Sequence, residues 1–257
     1  MAHVKNRNLG RGRVLVSEVD PITNRVSGYK EILLAKDFTV AVSGDRLPGY
    51  DYTVRGRPKD ASVLISREYT ASFGTESMDD FNVGLFFGSD AEDVTQAALA
   101  SVTGTINAVL PGLTYFIGEN EANQTGLKHL TSAAFTVGGT ALDEDEDYTI
   151  DLVNGAVTFL AGGAVVSGGN VGYTVSAPAR TYKRVVSAGE EKTLAMKFIT
   201  DNEVGENKVY KFPRVILSPN DGFVLQSDAW SAPTFNAEIL RFGAQHEIYC
   251  DGYPLEI

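Results

Sequence analysis

Few side chains in this 257-residue chain have the types and spacing of chemical machinery. The most conspicuous are five consecutive carboxylates, Asp143, Glu144, Asp145, Glu146 and Asp147. Hard oxygen ligands of this kind suit Ca²⁺, yet the run lacks the glycine of an EF-hand loop. An extended backbone would turn successive carboxylates to opposite sides, so a solvated loop leading into a strand at Tyr148 is the expectation. His3, His129 and His246 stand far apart, outside any HExxH or Cys/His spacing, and are expected as surface or interface residues without a metal. Gly10-Arg11-Gly12 follows no strand, as a phosphate loop would, and no GxSxG elbow is present. Asn123-Gln124-Thr125 has the glycosylation pattern, which matters only in a secreted chain. Two carboxylates astride a cleft would make a glycosidase, but among 33 acids some pair always satisfies the distance. No catalytic residue, cofactor or enzymatic activity is expected.

Two segments instead carry residues that hold proteins together. Residues 1–13 contain Lys5, Arg7, Arg11 and Arg13 with no acid, either a solvated terminus or an arm that docks on an acidic neighbour. Residues 44–60 (GDRLPGYDYTVRGRPKD) read as a long loop between strands, with Leu47, Tyr50, Tyr52 and Val54 beside Arg46, Arg55 and Arg57. Tyr and Arg are the types that anchor interfaces, and a loop this long in a compact domain is expected to make contacts.

The elements that must position these residues are β. Alternation with β-branched and aromatic residues runs through 13–19, 29–34, 38–42 and 62–72, and again through 181–186, 192–199, 209–217 and 233–240. Turn residues punctuate it at Asp20-Pro21, Ser218–Gly222 and Asp251-Gly252. Residues 77–87 break the pattern with a helical face of Met78, Phe81, Leu85 and Phe86, Ser77 as N-cap and Gly88 at the C-terminal cap. Residues 91–100 fit helix or strand. Within 147–160, two strands meet at Asn154-Gly155, a type I′ hairpin signal. Further strands are expected at 102–109, 113–117, 133–137 and 170–175.

Net charge is −11, which argues against a chain that grips nucleic acid or an anionic membrane, since both need a cation excess. Cys250 is the single cysteine, so no internal disulfide forms. No apolar run nears roughly 18 residues and no signal segment opens the chain, so a cytosolic, water-soluble protein is expected. Residues 101–180 hold 8 acids against 2 bases and 12 of the 26 glycines, a shift that places boundaries near 102 and 178. The expected fold is all-β: a sandwich- or barrel-forming domain with one short helix, split into 1–101 and 179–257, with a small β-sandwich module inserted at 102–178. Insertion at a loop tip costs little, because closure entropy grows slowly with length.

In order and spacing these segments resemble the major tail tube proteins of long-tailed bacteriophages with non-contractile tails, in the form that carries an Ig-like module. The resemblance spans nearly the whole chain. It rests on Gly12-Arg-Val-Leu-Val, Tyr29-Lys-Glu-Ile-Leu-Leu with Asp37-Phe-Thr-Val, and Asp80-Phe-Asn-Val-Gly-Leu-Phe-Phe-Gly. It continues through Val94-Thr-Gln, Leu113-Thr-Tyr-Phe-Ile-Gly, Asp147-Tyr-Thr-Ile-Asp and Val171-Gly-Tyr-Thr-Val to Lys211-Phe-Pro-Arg-Val-Ile-Leu-Ser-Pro and Ala229-Trp-Ser-Ala-Pro-Thr-Phe-Asn-Ala-Glu-Ile-Leu.

The resemblance implies a virion protein, assembled in the host cytoplasm, whose hexameric rings stack into a tube for DNA delivery. Its implied partners are copies of itself and the tape-measure, tail terminator and distal tail proteins, with no membrane. Residues 1–13 and 44–60 are then candidate bridges between subunits or rings. DNA carries about one charge per 1.7 Å, so a neutral-to-acidic lining would repel it over a Debye length of about 8–10 Å and let it pass. The alternatives are a distal tail or adaptor ring protein, or an Ig-like module that binds host glycans.

Overall fold

In the computed structural model, residues 10–20, 22–23, 25–189, 191–203 and 205–253 are described, the side chains of 252 and 253 excepted. Among the described residues the regular structure is nearly all β, in several antiparallel sheets with one helix. It forms two compact units, residues 1–92 with 184–257, and residues 93–183.

The first unit begins with β1 (Gly12–Glu18), β2 (Lys30–Ile32), β3 (Ala35–Ser43), β4 (Arg46–Tyr50), β5 (Lys59–Leu64), β6 (Glu68–Thr75) and α1 (Asp80–Phe87). The chain then passes through β7 (Ala91–Gln96) to β8 (Leu99–Val109), β9 (Thr114–Phe116), β10 (Ser132–Val137), β11 (Thr140–Ala141), β12 (Tyr148–Asp151), β13 (Ala156–Phe159) and β14 (Gly169–Ala177). It returns through β15 (Arg180–Val185), which pairs with β7, to β16 (Lys192–Thr200), β17 (Asn207–Pro219), β18 (Thr234–Ile239) and β19 (Tyr249–Tyr253).

Eight strands of the first unit make one sheet, ordered β2-β1-β16-β17-β18-β6-β3 with β19 also on β17. The alternation read from the sequence buries one face: Val14 and Val16 on β1, Phe73 on β6, Leu194 and Met196 on β16, and Phe235 on β18. Three strands separate β3 from β16, yet Phe38 and Phe198 stack face to face with centroids 4.7 Å apart. The sheet therefore curls over its own aromatic core. Fully burying each such side chain contributes about 1.5–3 kcal/mol.

Helix α1 starts later than its sequence pattern suggests. Ser77 is not the N-cap: its N–H is held by Thr75 Oγ1 at 3.1 Å and its carbonyl accepts from Asn82 Nδ2 at 3.0 Å. Asp79 caps instead, its carboxylate accepting from the Asn82 N–H at 2.8 Å. Gly88 ends the helix with φ 65°, a left-handed conformation that glycine adopts without strain. Leu85 carries the helix onto the core. Two other expectations are corrected. Residues 62–72 are not one strand, because 65–67 interrupt them between β5 and β6. Asp251-Gly252 is no turn but lies inside β19, opposite Val209 and Lys208.

The second unit is a sandwich of a four-stranded sheet, β11-β10-β14-β8, and a three-stranded sheet, β12-β13-β9. Phe135 of the first packs edge-on against Tyr148 and Phe159 of the second, at 4.7 and 5.7 Å. The turn at Asn154-Gly155 is longer than a two-residue hairpin, since Asp151 pairs with Ala156 across a four-residue loop. Leu152 and Val153 are held by tertiary contact: their carbonyls accept from the Leu130 and His129 N–H groups at 2.8 and 2.9 Å. Asp151 closes the loop, accepting from Val153 and Asn154 N–H. Gly155 takes φ 65° there, and any Cβ would overlap the Leu127 carbonyl.

Phe135→Ala removes the ring that joins the two sheets of the second unit and is expected to cost about 3–5 kcal/mol. Asp79→Ala, which only uncaps α1, should cost about 1 kcal/mol. Urea unfolding of both variants against the parent measures the difference.

Candidate functional site: a projecting hairpin

Residues 35–75 form one long hairpin in two stretches. In the inner stretch, β3 pairs with β6 from Ala35↔Thr75 to Ser43↔Glu68, and forms the edge of the sheet. The ladder is interrupted where Gly44 meets Ser66, whose carbonyl oxygen would lie 2.7 Å from any Cβ at 44. Ile65 N–H then donates to the Asp45 carbonyl at 2.8 Å, and the outer stretch continues as β4 on β5, from Arg46↔Leu64 to Tyr50↔Lys59.

Residues 44–60 are thus not the long loop that their Gly and Pro content suggests. The pairing partner, Lys59–Leu64, supplies the missing half of a ladder. Pro48 is tolerated because a two-stranded ribbon leaves each strand with a free edge. At the tip, the Asp51 N–H donates to the Pro58 carbonyl at 2.9 Å. The Asp51 carboxylate accepts from the Thr53 hydroxyl and N–H at 2.6 and 2.8 Å, which holds its pKa below the ordinary value. The Arg57 guanidinium lies over the Tyr52 ring at 5.2 Å.

The ribbon gathers Arg46, Leu47, Tyr50, Tyr52, Arg55 and Arg57 onto one projection. Alternation puts Leu47, Gly49, Ala61 and Val63 on one side, and Leu47 and Val63 are 61% and 63% exposed. Ile65 is 65% exposed, and every residue of β5 is exposed. The inner stretch shows the same feature: the face that presents Phe38 and Phe73 to the core continues as Val40 and Val42, both exposed. Across the loop before β18, Leu225 and Trp230 are also exposed. Sequence reading missed Val40, Val42, Val63 and Ile65 because alternation alone marks a face without saying where the core ends.

The basic residues of the expected arm lie elsewhere. Arg11 pairs with Glu203 at 2.7 Å, and Asp201 N–H donates to the Arg11 carbonyl. Arg13 lies in β1, 3.8 Å from Glu31 of β2. Such exposed pairs contribute at most about 1 kcal/mol. Lys5 and Arg7 fall outside the described residues.

The acidic run is a bracket. The Asp147 carboxylate accepts from Asp143 N–H at 2.9 Å and Ala164 N–H at 2.7 Å, while Asp147 N–H donates to the Asp143 carbonyl. Among the described residues no group of three or more His, Cys, Asp and Glu has metal-holding geometry. Nor, among them, is any helix long and apolar enough to cross a membrane.

Fold and surface together define an all-β protein of two units whose first unit extends a partly apolar ribbon. Residues 8–245 match the family described as "Protein of unknown function UCP028589", and the chain belongs to that family. No curated protein matches it.

Backbone N–H donors, from Asp143 first and then Ala164, lower the Asp147 pKa, and the Asn154 side chain and N–H lower that of Asp151. A carboxyl depressed in the folded state stabilises above its unfolded pKa of about 3.9, and that contribution is lost as pH falls through the folded value. The contribution of these two carboxylates to the second unit should be complete above about pH 5 and fall away below about pH 4. Asp147→Asn should lower its melting temperature at pH 7 and flatten the acid limb. Thermal melts from pH 2 to 7 test this, and an unchanged acid limb would count against the bracket.

Proposed function

We propose that this chain is a structural subunit whose copies close into rings, and that the rings stack into a tube of the bacteriophage-tail kind through which DNA passes. The observation that carries the reading is the projecting ribbon, whose Leu47, Val63 and Ile65 are exposed. A lone two-stranded hairpin is marginally stable in water, and exposed apolar strands invite association. A head-to-tail contact that closes a ring gives that surface one defined partner, a different surface of the next copy. The open edge of β3 supports the same reading, because joining sheets around a ring removes free edges.

The outward face of the neighbouring sheet suits a conduit. It presents Thr39 and Ala41 on β3, Thr70 and Ser72 on β6, Asn236 and Glu238 on β18, and Ile216 and Ser218 on β17. The carboxylates of this stretch, Glu68 and Glu238, are both exposed, while Arg67 and Arg241 flank it and Lys36, on the same face, is paired with Glu76 at 2.8 Å. Hydroxyls, amides and carboxylates predominate there, so phosphates would find few cations to release counterions against and DNA would slide past without being gripped. On this reading the chain's other partners are tape-measure, tail terminator and distal tail proteins, its place is the virion tail, and it catalyses no reaction.

Electron microscopy of the purified chain at high concentration, alone and with tail initiator components, tests the proposal. Rings or tubes are expected; a chain that stays monomeric under all these conditions sinks it. Leu47→Asp with Val63→Asp should raise the concentration needed for assembly at least tenfold while leaving the unfolding curve unchanged. Glu238→Lys should assemble normally but retain DNA in a salt-sensitive way.

A further inference from the structure

A groove of about 680 Å³ opens in the second unit, where the edge strand of one sheet, β8, faces the edge strand of the other, β9. Its size is that of sites for small polar ligands. Three aromatic side chains line it: Phe116 at 46% exposure, Tyr173, half-buried on β14, and Tyr115, whose hydroxyl accepts from the Leu110 N–H. The Tyr173 ring lies across β8 because its cross-strand neighbour is Gly104, where any Cβ would overlap the phenol. Hydrogen-bonding side chains line it too: Thr105 and Asn107 on β8, and Glu119, Glu121 and Gln124 on the loop after β9. None of these five side chains has a hydrogen-bond partner among the described residues, and no Lys or Arg lines the groove. Asn120 holds the loop in shape, accepting from Ala122 and Asn123 N–H and donating to the Gly118 carbonyl.

We propose that this groove binds an uncharged or N-acetylated saccharide, a function apart from the assembly assigned to the first unit. A sugar ring offers an apolar C–H face and a rim of hydroxyls. Phe116 and Tyr173 supply flat surfaces for the face, while free amides and carboxylates supply donors and acceptors for the rim. Two carboxylates without a balancing cation disfavour uronic acids, sialic acids and phosphorylated sugars. The fixed loop means little ordering is needed on binding. Addition of a peptide strand fits less well, because Ala108, with φ 53°, breaks the extended course of β8 beside the groove.

The test is binding of the full chain to an array of neutral hexose, N-acetylhexosamine and uronic-acid oligosaccharides, with a (Thr-Val)₄ peptide as the competing class. Binding to neutral or N-acetylated members alone is expected. It should weaken at least tenfold in Tyr173→Ala and in the surface variant Phe116→Ser, and in Gly104→Ala, which displaces the Tyr173 ring. Thermal melts of each variant separate lost binding from lost fold, and Asn107→Ala with Gln124→Ala repeats the test on exposed side chains. Three results would overturn the assignment: no saccharide bound at millimolar concentration, binding indifferent to these substitutions, or capture of the peptide or the acidic sugars instead. Ring formation is read separately, so failure here leaves the assembly reading standing.

Discussion

The first unit depends on how one strand, β17, is divided. It pairs with β16 along one side, but on the other side it holds β19 through Asn207–Lys211 and β18 through Val215–Pro219. Pro213 sits in the gap between these partners, and opposite it β16 shifts register between Leu194 and Met196. Proline has no N–H for a ladder, so within a sheet it is confined to edges and bulges. Placed at this bulge, it marks where β17 changes partners. Phe212 and Val215, fully buried on either side of it, anchor both halves in one core. The contact between Phe38 and Phe198, far apart in strand order, follows from the resulting curl.

That curl sets where the core ends, and the end of the core creates the surface. The hairpin of residues 35–75 is anchored by Phe38 and Phe73, then runs beyond the point where another layer could cover it. Its alternation persists, so the apolar side chains that would be core nearer the base become exposed at Val40, Val42, Leu47 and Val63. An isolated ribbon of this composition stabilises itself poorly, and its two faces offer more area to a neighbour than to its own chain. Structure and proposed assembly therefore rest on one periodicity.

In the second unit, charge serves shape. Asp147, Asp151 and Asn120 each accept two backbone N–H groups and fix a loop, the geometry that makes polar side chains common in turns. The conspicuous acids of 143–147 are thus partly committed to the backbone. Glu119 and Glu121, unremarkable in the sequence, remain free beside three aromatic rings. The net charge of −11 has no single meaning: some carboxylates bracket loops, some line a polar face, and others edge a groove.

Local physics made the all-β character legible, since alternation and turn residues report backbone conformation within a few neighbours. It also marked a helix at 77–87, begun three residues early, its glycine stop, and the Arg- and Tyr-bearing segment between β3 and β6. What lay beyond it were pairings made across long separations. Residues 44–60 look like a loop until residues 59–64 fold back beside them, and Asn154-Gly155 looks like a tight turn until residues 129–130 hold Leu152 and Val153. Gly104 says nothing until Tyr173 is laid across it. Sequence alone determined which way each side chain alternates; only the tertiary structure decided which partner, or none, each face would meet, because burial depends on where the other strands end.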